Sequence, residues 1–97
     1  MKWDTKENEE LMKAILELKN IAEAKRFFRD LLTEDELIEF GKRWKVAKML
    51  DGRVSYSKIA EETGLSSTTI ARVSKWLTKG MKGYRLVLDR EKNKKRK

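Results

Sequence analysis

The chain of 97 residues contains no cysteine, no proline and no histidine. Without cysteine there is no disulfide framework, and without cysteine or histidine no zinc site of the usual kind. The missing histidine also removes the commonest general base at neutral pH. No apolar run approaches the roughly 20 residues of a membrane span, and Met1-Lys2-Trp3-Asp4 opens no signal-peptide pattern. These absences lead us to expect a cytoplasmic protein with no metal and no membrane. They also argue against an enzyme, because no phosphate-cradling glycine loop, metal-ligand spacing or nucleophile–base pair is present. The carboxylates fall mainly on expected helix starts and helical surfaces, where capping and solvation account for them.

The net charge of +8 is unevenly distributed. Residues 1–51 hold 11 basic and 12 acidic side chains, a net −1, whereas residues 52–97 hold 13 and 4, a net +9. Lys92, Lys94, Lys95, Arg96 and Lys97 supply five of the charges in the second half, yet residues 52–91 alone remain at +4. A one-sided basic field attracts polyanions and raises their encounter rate.

The first half reads as three helices. Asp4 or Thr5 caps the first, with Leu11, Met12, Ile15, Leu16 and Leu18 on one broad face. Asn20 caps the second, which carries Ile21, Ala22, Phe27, Phe28, Leu31 and Leu32. Thr33-Glu34-Asp35-Glu36 is a capping box, in which the Thr33 hydroxyl and the Glu36 carboxylate satisfy free backbone N–H groups reciprocally. The third helix follows with Leu37, Phe40, Trp44 and Ala47, and Asp51-Gly52 ends it. So much apolar surface in so short a segment favours a dimer that buries it between two chains over a compact monomeric bundle.

The second half carries a more specific pattern. Ser55 caps a short helix through about Glu62, Thr63-Gly64-Leu65-Ser66 makes a tight turn, and Ser66 or Ser67 caps a helix to about Lys79, before Gly80. Two short helices joined through a glycine turn form a helix-turn-helix. Ala60 is small where the backbones approach, Gly64 is free to take positive φ, and Ile59, Leu65, Ile70 and Val73 lock the second helix onto the first. An ordinary helical hairpin shares this pattern but does not require the outward face that accompanies it here. Ser67, Thr68, Ala71 and Arg72 point away from the lock, flanked by Ser66 and Thr69, and suit base edges and phosphates in a major groove. Lys58, Lys75 and Lys79 are placed to hold the DNA backbone, with Tyr56 and Ser57 at the start of the first short helix.

With Leu32-Thr33, Asp35-Glu36, Gly41, Arg43, Met49-Leu50, Ser55-Tyr56-Ser57-Lys58-Ile59, Glu62-Thr63-Gly64 and Ser67-Thr68-Thr69-Ile70-Ala71-Arg72-Val73 in that order, the chain resembles the Trp repressor-like proteins over roughly residues 21–80. The resemblance implies an all-α fold of five to six helices with a helix-turn-helix. It also implies an intertwined homodimer that binds a palindromic operator as a transcriptional regulator, a repressor by analogy. The organisation expected is a helical core and dimer interface over residues 1–54, a reading head over 55–80 and a C-terminal segment over 81–97. In the tryptophan-responsive members, residues matching Thr33, Arg43 and Arg72 surround the ligand. Here Val73 stands where they have glycine and Trp76 where they have serine, so neither tryptophan nor another small corepressor is expected.

Within the C-terminal segment, Met81-Lys82-Gly83-Tyr84 and Leu86-Val87-Leu88 are expected to form a short ordered piece, with a disordered basic tail from Asp89. The competing function is a helical protein-interaction adaptor without specific DNA readout, which calls for an apolar outer helix face that Ser67, Thr68, Ala71 and Arg72 do not offer. RNA binding would need an aromatic stacking platform, and none is evident in the sequence.

Overall fold

The structure is a computed structural model that describes residues 2–95. It contains six helices and, among the described residues, no strand: α1 (Lys6–Ile15), α2 (Ile21–Leu31), α3 (Glu34–Asp51), α4 (Tyr56–Thr63), α5 (Ser67–Lys79) and α6 (Gly83–Lys95). None of these helices is long and apolar enough to cross a membrane.

Local chemistry sets the helix starts. The Thr5 hydroxyl accepts from the Asn8 N–H at 3.1 Å, and the Asn20 side chain from the Glu23 N–H at 2.9 Å. At α3 the capping box is complete in both directions, with Glu36 N–H to Thr33 Oγ1 at 3.1 Å and Thr33 N–H to Glu36 Oε1 at 2.9 Å. Each cap replaces a water bond that the first-turn N–H groups would otherwise need, and is worth about 1 kcal/mol.

Two compact units divide the chain, one up to Leu37 and one from Ile38. In the first unit α1 and α2 contain no buried residue, and Phe27 and Phe28 meet edge to face with ring centroids 5.6 Å apart. The continuous apolar face expected for the first helix is interrupted. The helix ends at Ile15, Leu16 is its C-cap and Leu18 lies beyond it, because the N–H groups of residues 16–18 turn back to Met12, Ala14 and Ile15.

The second unit holds the core. Val46 and Ala47 of α3, Ile59 of α4, and Ile70 and Val73 of α5 are fully buried, with Trp44, Met49, Leu50, Val54, Ala60, Leu65 and Tyr84 packed around them. Leu88 of α6 is also buried, and the Tyr84 ring stacks on Trp44 at 6.2 Å with an interplanar angle of 20°. Burial pushes the Tyr84 phenol above its ordinary range, opposed by the nearby Arg43 cation.

The segment from Asp89, expected to be disordered, is helical as far as Lys95, while Arg96 and Lys97 lie outside the described residues. Helicity extends past the last apolar residue because Asp51, at the end of α3, accepts from both Arg85 at 2.6 Å and Lys92 at 2.7 Å. Arg85 also reaches Asp89 at 3.1 Å, one turn along α6.

Hydrogen bonds from Lys92 and Arg85 hold the Asp51 carboxyl below its ordinary value of 3.8, outweighing the desolvation that pushes it up. A carboxylate with a depressed folded-state pKa stabilises the fold above its unfolded value and loses that contribution as pH falls through the folded value. The protection of the α6 amides relative to their intrinsic exchange rate at each pH is therefore expected to be high at pH 5 and to fall as pH drops well below 4, whereas Asp51→Asn should show the lowered protection already at neutral pH. Equal protection of α6 in the variant and the wild type at neutral pH would mean that apolar packing alone holds this helix.

Candidate nucleic-acid interface

The helix-turn-helix is built from three local features. Ser55 caps α4 by accepting from the Lys58 N–H at 3.3 Å, and Ser66 caps α5 by accepting from the Thr69 N–H at 3.2 Å. Between them Gly64 takes φ +72, and its N–H closes on Ala60 C=O at 2.8 Å. A Cβ at Gly64 would meet nothing within 4 Å, so backbone conformation rather than space calls for glycine there.

Thr63 supplies a lock that the sequence reading missed. Its buried hydroxyl donates to Ile59 C=O at 2.7 Å and accepts from the Leu65 N–H at 3.2 Å, tying the end of α4 to the turn. A threonine beside a turn glycine is too common a pairing to announce this role.

On α5 the fully buried Ile70 and Val73 are backed by an opposite face where Ser67, Thr68, Ala71, Arg72, Lys75 and Lys79 are all exposed. Arg72 has no hydrogen-bond or ion-pair partner among the described residues, so its guanidinium is free to meet a ligand. Tyr56, Ser57 and Lys58 are exposed at the start of α4, although the Lys58 ammonium lies 3.9 Å from Glu62 in a solvent-screened pair. Ser66 and Thr69 are differently employed. The Ser66 oxygen serves the cap and lies 3.2 Å from Thr69 Oγ1, and Thr69 is half-buried. Their hydroxyls are committed to the start of α5 more than to an external partner.

Thr33, the first of the three candidate ligand residues, is occupied in the α3 capping box. Arg43 reaches Glu39 at 2.9 Å, and its guanidinium carbon lies 5.6 Å from the Phe40 ring centroid and 5.8 Å from that of Trp76. A guanidinium flanked by two rings and already paired with a carboxylate is poorly placed to receive a free carboxylate and a second indole. The residues present around Arg43 therefore do not fit tryptophan. The Arg43 Nε–H is buried without a hydrogen-bond partner, which leaves one unused donor in this cluster.

Among the described residues no group of three or more acidic side chains is arranged to hold a metal ion. The surface is thus one of hydroxyls, a methyl and cations, suited to a polyanion with readable edges.

Comparison with known proteins agrees with this geometry. The family described as Trp repressor protein matches residues 6–92. The chain is 44% identical over 87 residues to the uncharacterized protein YerC of Bacillus subtilis (strain 168), covering 90% of this chain and 84% of that protein. A crystal structure of a TrpR-like protein from Eubacterium eligens ATCC 27750 superposes with a TM-score of 0.87 at 44% identity, covering 92% of each chain. A candidate Trp repressor from Staphylococcus aureus gives a TM-score of 0.88 at 38% identity, covering 94% of this chain and 91% of the other.

Proposed function

The chain belongs to the Trp repressor family, and from that premise we propose that it is a dimeric, sequence-specific DNA-binding regulator that represses by occupying a palindromic operator. The observation that carries this reading is the two-sided α5, with Ile70 and Val73 wholly buried and Ser67, Thr68, Ala71, Arg72, Lys75 and Lys79 presented together on the other side. Residues 55–80 act as the head and residues 1–54 as the dimer interface and part of the core, which Ile59, Ile70 and Val73 of the head complete; residues 81–97 form a C-terminal segment, whose α6 adds the buried Leu88. Exposure of Leu16 at 81% and Ile21 at 75% in the single chain supports a second copy as their cover. Each head then places α5 in one of two successive major grooves, about 34 Å apart. The pairing of Arg43 with Glu39 and the Trp76 ring beside it support reading without tryptophan as corepressor.

Selection of duplex DNA from a random library, with and without tryptophan, tests the reading. A palindromic motif recovered equally in both conditions is expected. Recovery of random sequence alone would reduce the basic half to non-specific attraction and move the argument to the adaptor role. A motif that appears only with tryptophan would overturn the corepressor-free reading.

On the selected site, Arg72→Ala is expected to cost about 1–3 kcal/mol and to relax preference at one base position. Lys75→Ala or Lys79→Ala should weaken all sequences alike and lower the salt slope by about 1 each. If Arg72→Ala weakens operator and random duplex equally, Arg72 contacts the backbone and reads no base.

A further inference from the structure

A second electropositive feature lies away from the outward face of α5. A cleft of about 700 Å³ opens between the end of α3, the last turn of α5 and the start of α6, lined by Leu50, Asp51, Arg53, Leu77, Thr78, Lys82, Arg85 and Lys92. Four of these residues are cationic and one is anionic, a net of +3. Asp51 spends both its oxygens on Arg85 and Lys92. Arg53 and Lys82 are left with no ion-pair or side-chain hydrogen-bond partner among the described residues.

Arg53 and Lys82 share a second property. They are the two non-glycine residues at positive φ among those described, with φ of 63 and 65. A left-handed backbone is costly for a residue with a Cβ, and glycine would relieve it. Glycine is next door in both cases, at Gly52 and Gly83, yet it is the arginine and the lysine that take the strained conformation. At Arg53 this conformation closes the end of α3, with Arg53 N–H to Leu50 C=O and Val54 N–H to Met49 C=O, both at 3.0 Å, and Lys82 opens α6 by accepting from the Leu86 N–H at 3.0 Å. The two caps fix the backbones that carry the cleft's two unpaired cations. The Thr78 hydroxyl donates to Ser74 C=O at 3.0 Å, so its proton is committed and the cations are the groups left to bind. Leu50 and Leu77 add apolar wall.

We propose that this cleft is a phosphate-binding site, with Arg53 and Lys82 as its ligating cations and the Asp51–Arg85–Lys92 network as its frame. The proposal goes beyond the reading of DNA by α5 and stands independently of it. Its phosphate is either a backbone phosphate of bound duplex or that of a free phosphorylated compound, for which the volume is ample.

The test uses the full chain and the double variant Arg53→Gly with Lys82→Gly, in which glycine accepts the left-handed backbone and the cations are removed, each protein's melting being referred to its own value in chloride. Melting is followed as inorganic phosphate replaces chloride at constant ionic strength. A saturable rise in Tm of several degrees is expected for the wild type, with the saturable part lost in the double variant and kept in Arg53→Lys. Identical responses of wild type and double variant would overturn the proposal, since phosphate also stabilises proteins by general exclusion from their surface.

Binding of duplex DNA across a salt series then identifies the source. A log–log salt slope shallower by roughly 1 to 2 in the double variant assigns the site to the DNA backbone. An unchanged slope, with the phosphate-dependent Tm shift lost, assigns it to a free phosphorylated compound. Should the chain bind no duplex at all, the operator reading fails while the Tm comparison still decides the cleft.

Discussion

Ile70→Ala is expected to remove roughly 2–5 kcal/mol of stability, the usual cost of cutting a fully enclosed isoleucine back to a methyl. Ile70 has no exposed surface and packs with Val46, Ala47, Ile59 and Val73, a cluster that gathers α3, α4 and α5 on one set of side chains. A domain of this size has about 5–15 kcal/mol in total, so the loss is a large fraction of what holds the head together. Urea denaturation measures it, and DNA binding should fall in parallel because the outward residues of α5 depend on that seating. Arg72→Ala, two residues along and fully outside, should leave the urea midpoint within the scatter of surface changes, about 0.5 kcal/mol. A cost below 1 kcal/mol for Ile70→Ala would mean that the cluster collapses around the gap and does not fix α5.

The second large effect concerns the first unit. In a lone chain Leu16 and Ile21 are mostly exposed, so replacing both with glutamate should cost little, about 0.5 kcal/mol each. In the proposed dimer the same carboxylates would enter an apolar interface, where an unpaired charge is strongly unfavourable. Leu16→Glu with Ile21→Glu is therefore expected to convert a dimer to monomers in sedimentation at micromolar concentration. Because two linked heads gain about 10²- to 10⁴-fold over one, operator affinity should drop by a factor of that order. Retention of both dimer and affinity would place the interface elsewhere.

The parts of this molecule that were legible in its sequence are those governed by near neighbours. The caps at Thr5, Asn20, Thr33 and Ser66 each use a bond spanning three residues; side-chain type found Asn20 and Thr33 outright, and narrowed the other two to Asp4 or Thr5 and to Ser66 or Ser67. The spacing of Ile59, Ile70 and Val73 and the glycine of the turn placed the head to within a residue, since α4 ends at Thr63 where Glu62 was expected. The length of α6 was not legible, because the Asp51–Arg85 bond joins residues 34 apart and Lys92 is more distant still. A run of charges looks the same whether its acceptor lies across the fold or in water. The left-handed Arg53 and Lys82 were hidden for a different reason. With a glycine adjacent to each, local rules assign the unusual φ to the wrong residue. Among the candidate site residues, exposure of the outward α5 side chains followed directly from helical periodicity, whereas the commitment of Ser66 and Thr69 to each other depended on rotamers that no spacing specifies.

The ring of Trp76 lies beside the Arg43 guanidinium and is still 41% exposed, while Trp44 is stacked on Tyr84. Helix α5 therefore carries an intrinsic fluorophore. Its emission colour depends on the water around it, and a neighbouring cation shifts the energy of its excited state. A displacement of α5 against α3 would thereby change the emission of the unlabelled protein, through a residue outside the set proposed to meet DNA.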